Sequence, residues 1–295
     1  MPRRILLFNR ATQCVEEERV FKPRFMDFFY GSRLGRVITG LILKRKWFAK
    51  YYGFLQRRSA SKAQIAAFVE RHAVDMNESV LPVGAFECFN DFFIRQIKPD
   101  ARRVDRSPSV LVAPADSRVL CYRIAAGTVL PIKGRPFTIA ELAADETAEA
   151  RFHGGICLVF RLAPADYHRF CFVDDGWHSP VRKIAGCFHS IHPLALGTGL
   201  PILPTNYREL TVLQTRNFGE VVQIEVGALG VGKIVQHRRE SSACEKGEEK
   251  GYFEWGASTI VLLLQSAVRI DDDILHYSEA GIETRVKYGS RIGKA

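Results

Sequence analysis

From about Val110 onward, short apolar or β-branched runs alternate with turns rich in Gly, Pro, Asp and Asn. The runs are SVLVAP, SRVLCYRI, GICLVFRLAP, LTVLQT, VVQIEVGALGVGKIV and STIVLLLQ. This texture has no βαβ rhythm and predicts a β-dominated domain. The first third reads differently. Residues 24–58 mix aromatic and aliphatic side chains with many Lys and Arg and almost no acids, and Ile38, Leu41 and Ile42 fall at helical spacing. Gly31, Gly35, Gly40 and Gly53 divide the stretch into two or three short helices. Residues 61–77 predict a further helix, and Pro99 closes FECFNDFFIRQIKP. The expected architecture is α+β: a helical, basic region over residues 1–80 on a β-rich domain over residues 81–295.

Composition narrows the class. The chain is 47% hydrophobic and 25% charged, with twenty phenylalanines, enough for a substantial core and unlike a disordered chain. A formal net charge of +10 favours polyanions. Nucleic acid rests on that charge alone, and no nucleic-acid partner is expected. Basic helices with aromatic anchors (Phe48, Tyr51, Tyr52, Phe54) suit a membrane interface; the other reading is an amphipathic helix packed on its own domain. No apolar run reaches the ~18 residues of a membrane span. Seven scattered cysteines without a CxxC pair suit reduced thiols, and no zinc-type spacing appears, so no metal is expected.

The candidate chemistry centres on Gly256-Ala257-Ser258-Thr259. A polar, turn-like KGEEKG precedes it and the buried-strand run IVLLL follows. A serine between small residues, at a turn that feeds a strand, has two readings. One is a nucleophile; the other is a hydroxyl satisfying nearby backbone groups.

The context KGEEKGYFEWGAST resembles the segment in which phosphatidylserine decarboxylases carry their self-cleavage site, usually LGST or GGST. Other stretches match that family in order. Phe89–Arg95 (FNDFFIR) resembles FNEFFIR, and PADS at 114–117 resembles PADG. DYHRF at 166–170 resembles DYHRFH, SIHPLAL at 190–196 resembles SVNPLAL, and EVGALGVG at 225–232 resembles EVGATNVG. FYGSRLGR near the start is similar to the form in one bacterial branch.

The resemblance implies an autocatalytic lyase made as a proenzyme (zymogen) for phospholipid biosynthesis. The Ser258 hydroxyl would attack the Ala257 carbonyl, converting the peptide bond to an ester. Elimination would then cut between Ala257 and Ser258, leaving a β chain of residues 1–257 and an α chain of residues 258–295 headed by a pyruvoyl group. That α-keto carbonyl, joined to the substrate amine, accepts the electrons released as carbon dioxide leaves phosphatidylserine to give phosphatidylethanolamine. It further implies Asp116 in the charge-relay triad for cleavage and His168 as acid/base in decarboxylation. The two cleaved chains would stay together, with a homodimer as the assembly, on anionic lipid at the cytoplasmic face of a membrane as a peripheral protein.

Three departures from the family pattern bear on self-cleavage. The second histidine of YHRFH, the triad base, is Cys171 here, Ala257 replaces a glycine, and Ser117 replaces the glycine of PADG. An unperturbed thiol is mostly neutral at pH 7, and general-base help is worth ~10²–10⁴ in rate. His178, His189 and His192 follow closely and are candidate substitute bases, or histidines without such a role. Two rival functions follow. One is a non-maturing relative that binds lipid or regulates a partner; the other is a pyruvoyl decarboxylase of a soluble amino acid.

Overall fold

A computed structural model describes residues 5–18, 27–125, 129–130, 137–191, 195, 202–229, 233–256 and 258–295. Two short strands, β1 (Leu6–Asn9) and β2 (Cys14–Glu17), form a hairpin where the sequence predicted a helical region. Helical segments follow to residue 101, among them the helices Lys46–Gln56, Ile65–His72 and Phe89–Phe93. The rest is largely strand: β3 (Val110–Val112), β4 (Ser117–Arg123), β5 (Val129–Leu130), β6 (Phe137–Thr138), β7 (Ile156–Leu162), β8 (Arg169–Cys171), β9 (Gly176–His178) and β10 (Arg182–Ile184). Then come β11 (Arg208–Thr215), β12 (Glu220–Gly227), β13 (Ile234–Gln236), β14 (Ser242–Cys244), β15 (Glu249–Phe253), β16 (Ser258–Leu264), β17 (Arg269–Ile270), β18 (Glu283–Val286) and β19 (Arg291–Lys294).

Eleven strands make one sheet in the order β14-β9-β11-β12-β16-β7-β4-β18-β1-β2, with β10 added beside β11. Every pair in it is antiparallel except β1 with β18. The hairpin therefore owes its place to a strand more than 260 residues away. At the centre, all seven residues of β7 and of β16 are buried. Ile260, Leu262 and Leu264 face one core with Leu158 and Phe160, while Val261 and Leu263 face a second core with Cys157 and Val159. A strand covered on both faces reads as a continuous apolar run, which explains ICLVF and IVLLL.

The helix Lys46–Gln56 packs one face inward, with half-buried Tyr52 against the core of Phe68, Phe89 and Trp255, and leaves a second aromatic face outside. It buries Ala49, Gly53 and Gln56, while Trp47, Tyr51 and Phe54 are 59%, 57% and 55% exposed. Phe28, Leu34, Val37, Leu41 and Ile42, on the helical turns before it, are exposed as well. No helix among the described residues is long and apolar enough to cross a membrane.

Candidate active site

Ser258 opens β16 and lies between Gly227 of β12 and Leu162 of β7. Its side chain is fully buried, yet Oγ has no hydrogen-bond partner among the described residues. Among the described residues the hydroxyl satisfies no backbone group, unlike a structural serine at this place. Two residues earlier Gly256 has φ +144°, a conformation that disfavours any side chain and accounts for glycine there. Ala257 and His192 lie outside the described residues.

The segment before Ser258 is held by the Phe89–Phe93 helix. Trp255 donates its backbone N–H to Asn90 Oδ1 at 3.0 Å, and its ring meets Phe89 and Phe93 at 4.6 and 5.0 Å between centroids. Phe93 also lies 4.0 Å from the His168 ring. His168 is fully buried; its Nδ1 donates to the Asp166 carbonyl at 3.0 Å, and Nε2 has no partner among the described residues. Burial pushes its pKa down to about 3, with Arg95 and Arg118 adding to the effect. At neutral pH His168 is therefore a neutral imidazole with an open lone pair on Nε2.

Asp116 sits at the same end of the sheet. Arg118 of β4 pairs with Arg161, the residue before Leu162, so Asp116 lies about two strand spacings, roughly 10 Å, from Ser258. Its carboxylate accepts from Arg102 Nε at 2.8 Å and from the Tyr288 backbone N–H at 2.8 Å, and Arg102 also holds Glu78. Cys171 is close by: its N–H donates to Pro114 O at 2.9 Å and its thiol lies 3.7 Å from Ala113 O. Burial among Tyr167 and Tyr288 pushes the thiol up to about 12, so it stays protonated. Asp116 and Cys171 are thus brought together, but neither hydrogen-bonds Ser258.

The candidate substitute bases divide. His189 lies at the Ser258 end: Asn206 Nδ2 donates to both the His189 and the Gly227 carbonyls at 2.9 Å, and Gly227 is the register partner of Ser258. Its Nδ1 is without a partner among the described residues, and burial lowers its pKa to about 4. His178 pairs with Leu213, which pairs with Val221 and through it Leu264, six residues along β16 and roughly 20 Å from Ser258. Both its nitrogens are engaged, with Ser179 O and Ser242 Oγ at 2.8 Å. Arg102, Tyr288 and the aromatic wall of Phe93 and Trp255 went unnoticed in the sequence. Trp255 carried a signal in its position just before GAST; Tyr288 carried none.

An α+β protein with a buried serine at the end of its central strand and a neutral imidazole at the same end, neither Oγ nor Nε2 having a partner among the described residues, has the makings of a self-processing enzyme. The sequence model of the phosphatidylserine decarboxylase family matches residues 89–294. A phosphatidylserine decarboxylase proenzyme of Clostridium perfringens is 38% identical over 291 residues, covering 98% of this chain and 99% of that protein. The proenzyme of Clostridium botulinum is 38% identical and proenzyme 2 of Clostridium acetobutylicum 39%, each with 98% of both chains covered. The chain belongs to the phosphatidylserine decarboxylase family.

Proposed function

We propose that the chain is a phosphatidylserine decarboxylase that generates its own pyruvoyl group at Ser258. The observation that carries this is the Ser258 hydroxyl, buried and unpartnered where the family's cleavage motif aligns. In the cleavage, Oγ forms a bond to the Ala257 carbonyl carbon as the C–N bond breaks, and the hydroxyl proton passes by way of a base to the freed amine. Elimination then breaks the Cβ–O bond of residue 258 as a base takes its Cα proton, forming a Cα=Cβ double bond and releasing residues 1–257 with a C-terminal carboxylate. Water then replaces the nitrogen on residue 258, which leaves as ammonia. The two open imidazole nitrogens at this end, His168 Nε2 and His189 Nδ1, can accept the proton that the Cys171 thiol cannot.

The residues present fit the group: a buried strand end supplies its precursor, and among the described residues no charged side chain hydrogen-bonds Oγ. The group supplies an acceptor for the electron pair released when carbon dioxide leaves. His168 Nε2 takes up and returns a proton there, and Phe93 and Trp255 exclude water from it. The exposed aromatic face over residues 28–54, flanked by Arg33, Arg36, Lys44 and Arg45, supports peripheral docking on anionic lipid at a cytoplasmic membrane face. The same face speaks against a soluble amino acid as substrate. A homodimer of cleaved chain pairs is the assembly we propose.

One observation favours a second reading, a non-maturing lipid-binding relative: the triad-base position holds a protonated thiol. Assay of phosphatidylserine in mixed micelles separates the two. Release of carbon dioxide by the parent, lost in Ser258→Ala, supports the decarboxylase; an inert parent that binds lipid vesicles as an intact chain supports the relative.

A further inference from the structure

A cavity of about 480 Å³ lies between the helix Lys46–Gln56 and the sheet. Six cations line it: Lys46, Lys50, Arg57, Lys183, Lys233 and Arg239. Arg57 is paired with Glu254, and Arg239 reaches Glu209 at 3.4 Å. Among the described residues Glu209 is the one acid in the wall, buried and accepting also from Tyr207 Oη at 2.7 Å. The four lysines have no ion pair among the described residues. All four are solvent-exposed, so they ring the mouth of the concave site with positive charge that attracts anions and weakens with salt.

Two further relations say which anion. The helix that contributes Lys46 and Lys50 to the cavity exposes Trp47, Tyr51 and Phe54 on the adjoining face, so a bilayer meeting those rings lies next to the cavity. The cavity also runs up to the Ser258 strand end. Its Tyr207 accepts the Gly227 N–H at 2.9 Å, and a Cβ on Gly227 would lie 3.4 Å from its Phe188 ring. Gly227 is one strand spacing, about 4.8 Å, from Ser258. Lys233 O accepts the N–H of Glu254, four residues before Ser258.

Resting on the decarboxylase reading, we propose that this cavity is the subsite for the phosphodiester of the lipid substrate, holding that charge while the serine end of the headgroup extends to Ser258. The cavity recognises the phosphate and not the serine, so other phosphodiester lipids compete for it. Lys183 and Lys233 come from the sheet side and not from the interfacial helix, so changing them leaves the aromatic face intact.

The test uses the full chain carrying Ser258→Ala, with monomeric dihexanoylphosphatidylserine, dihexanoylphosphatidylglycerol and inorganic phosphate as probes in calorimetry. Lys183→Gln/Lys233→Gln weakens binding of both lipids about tenfold or more, two charge-assisted contacts being removed. Lys183→Arg/Lys233→Arg keeps it, which shows that charge and not folding is being read. In cleaved enzyme the Gln pair raises KM about tenfold with kcat within about twofold, as loss of uniform binding requires; Arg216→Gln, an exposed charge removed elsewhere, changes neither. Unchanged lipid affinity in a folded Gln pair overturns the subsite, as does loss of binding in the Arg pair. Inorganic phosphate binding as tightly as the lipids assigns the cavity to free anions and overturns it too. The binding arm needs neither cleavage nor activity: a chain that cleaves and decarboxylates with an indifferent cavity refutes the subsite alone. An uncut, inert parent whose cavity binds lipid refutes the decarboxylase reading alone.

Discussion

Lowering the pH from 7 to 5 should destabilise the protein through His168 in particular. The buried imidazole has its pKa depressed to about 3 against an unfolded value of 6.5. As pH falls below 6.5 the unfolded chain takes up the proton first, so stability present above pH 6.5 is lost progressively down to about pH 3. At pH 5 the loss is about 1.5 pH units, or about 2 kcal/mol. With a urea slope of about 3 kcal/mol/M, the midpoint falls by about 0.7 M from this residue. His189, also depressed, adds a share of its own, so the informative comparison is between parent and His168→Gln. The measurement is the urea midpoint of each at pH 7 and pH 5, followed by tryptophan fluorescence. The variant should lose about 0.7 M less than the parent between the two pH values. An equal loss in both would refute the claim that burial holds His168 neutral.

Three further outcomes are expected. Cys171→Ser should leave the rate of self-cleavage within a few-fold of the parent, because a thiol held near 12 is no base; a drop of ~10² or more would assign it that role. Lys250→Met strands the buried Glu225 carboxylate that Lys250 contacts at 2.9 Å, and should cost about 3–5 kcal/mol in urea unfolding; a cost under about 1 kcal/mol would show the pair to be dispensable. Trp47→Ala/Phe54→Ala should weaken sedimentation with anionic vesicles while changing the stability read from urea unfolding by no more than about 1 kcal/mol, since both side chains are more exposed than buried; undiminished sedimentation would remove the aromatic face from the docking account.

The central sheet was legible because β7 and β16 are buried on both faces and leave continuous apolar runs in the sequence. The β1–β2 hairpin was not, because LLFN and CVEE are four-residue strands whose pairing with Glu283–Val286 is set by the tertiary fold. Helical spacing was visible at Ile38, Leu41 and Ile42, and aromatic bulk at residues 48–54, but not which face is buried. Which face a helix buries depends on the surface it meets, and here Ala49 and Gly53 go inward. Motif order points to Ser258, His168 and Asp116; register brings Ser258 and Asp116 to one sheet end, and packing on Phe93 brings His168 there. That Cys171 replaces a base was plain in the sequence, whereas the burial that fixes its proton belongs to the packing of Tyr167 and Tyr288. The cationic cavity draws on residues from Lys46 to Arg239, and no local pattern announces it.

The central claim is maturation at Ser258, and the most direct measurement is the intact mass of the purified protein after incubation with lipid. The account predicts two chains, one of them the 38 residues from position 258 to Ala295 with a pyruvoyl-blocked N-terminus. A single uncut chain of 33.3 kDa that persists would contradict it.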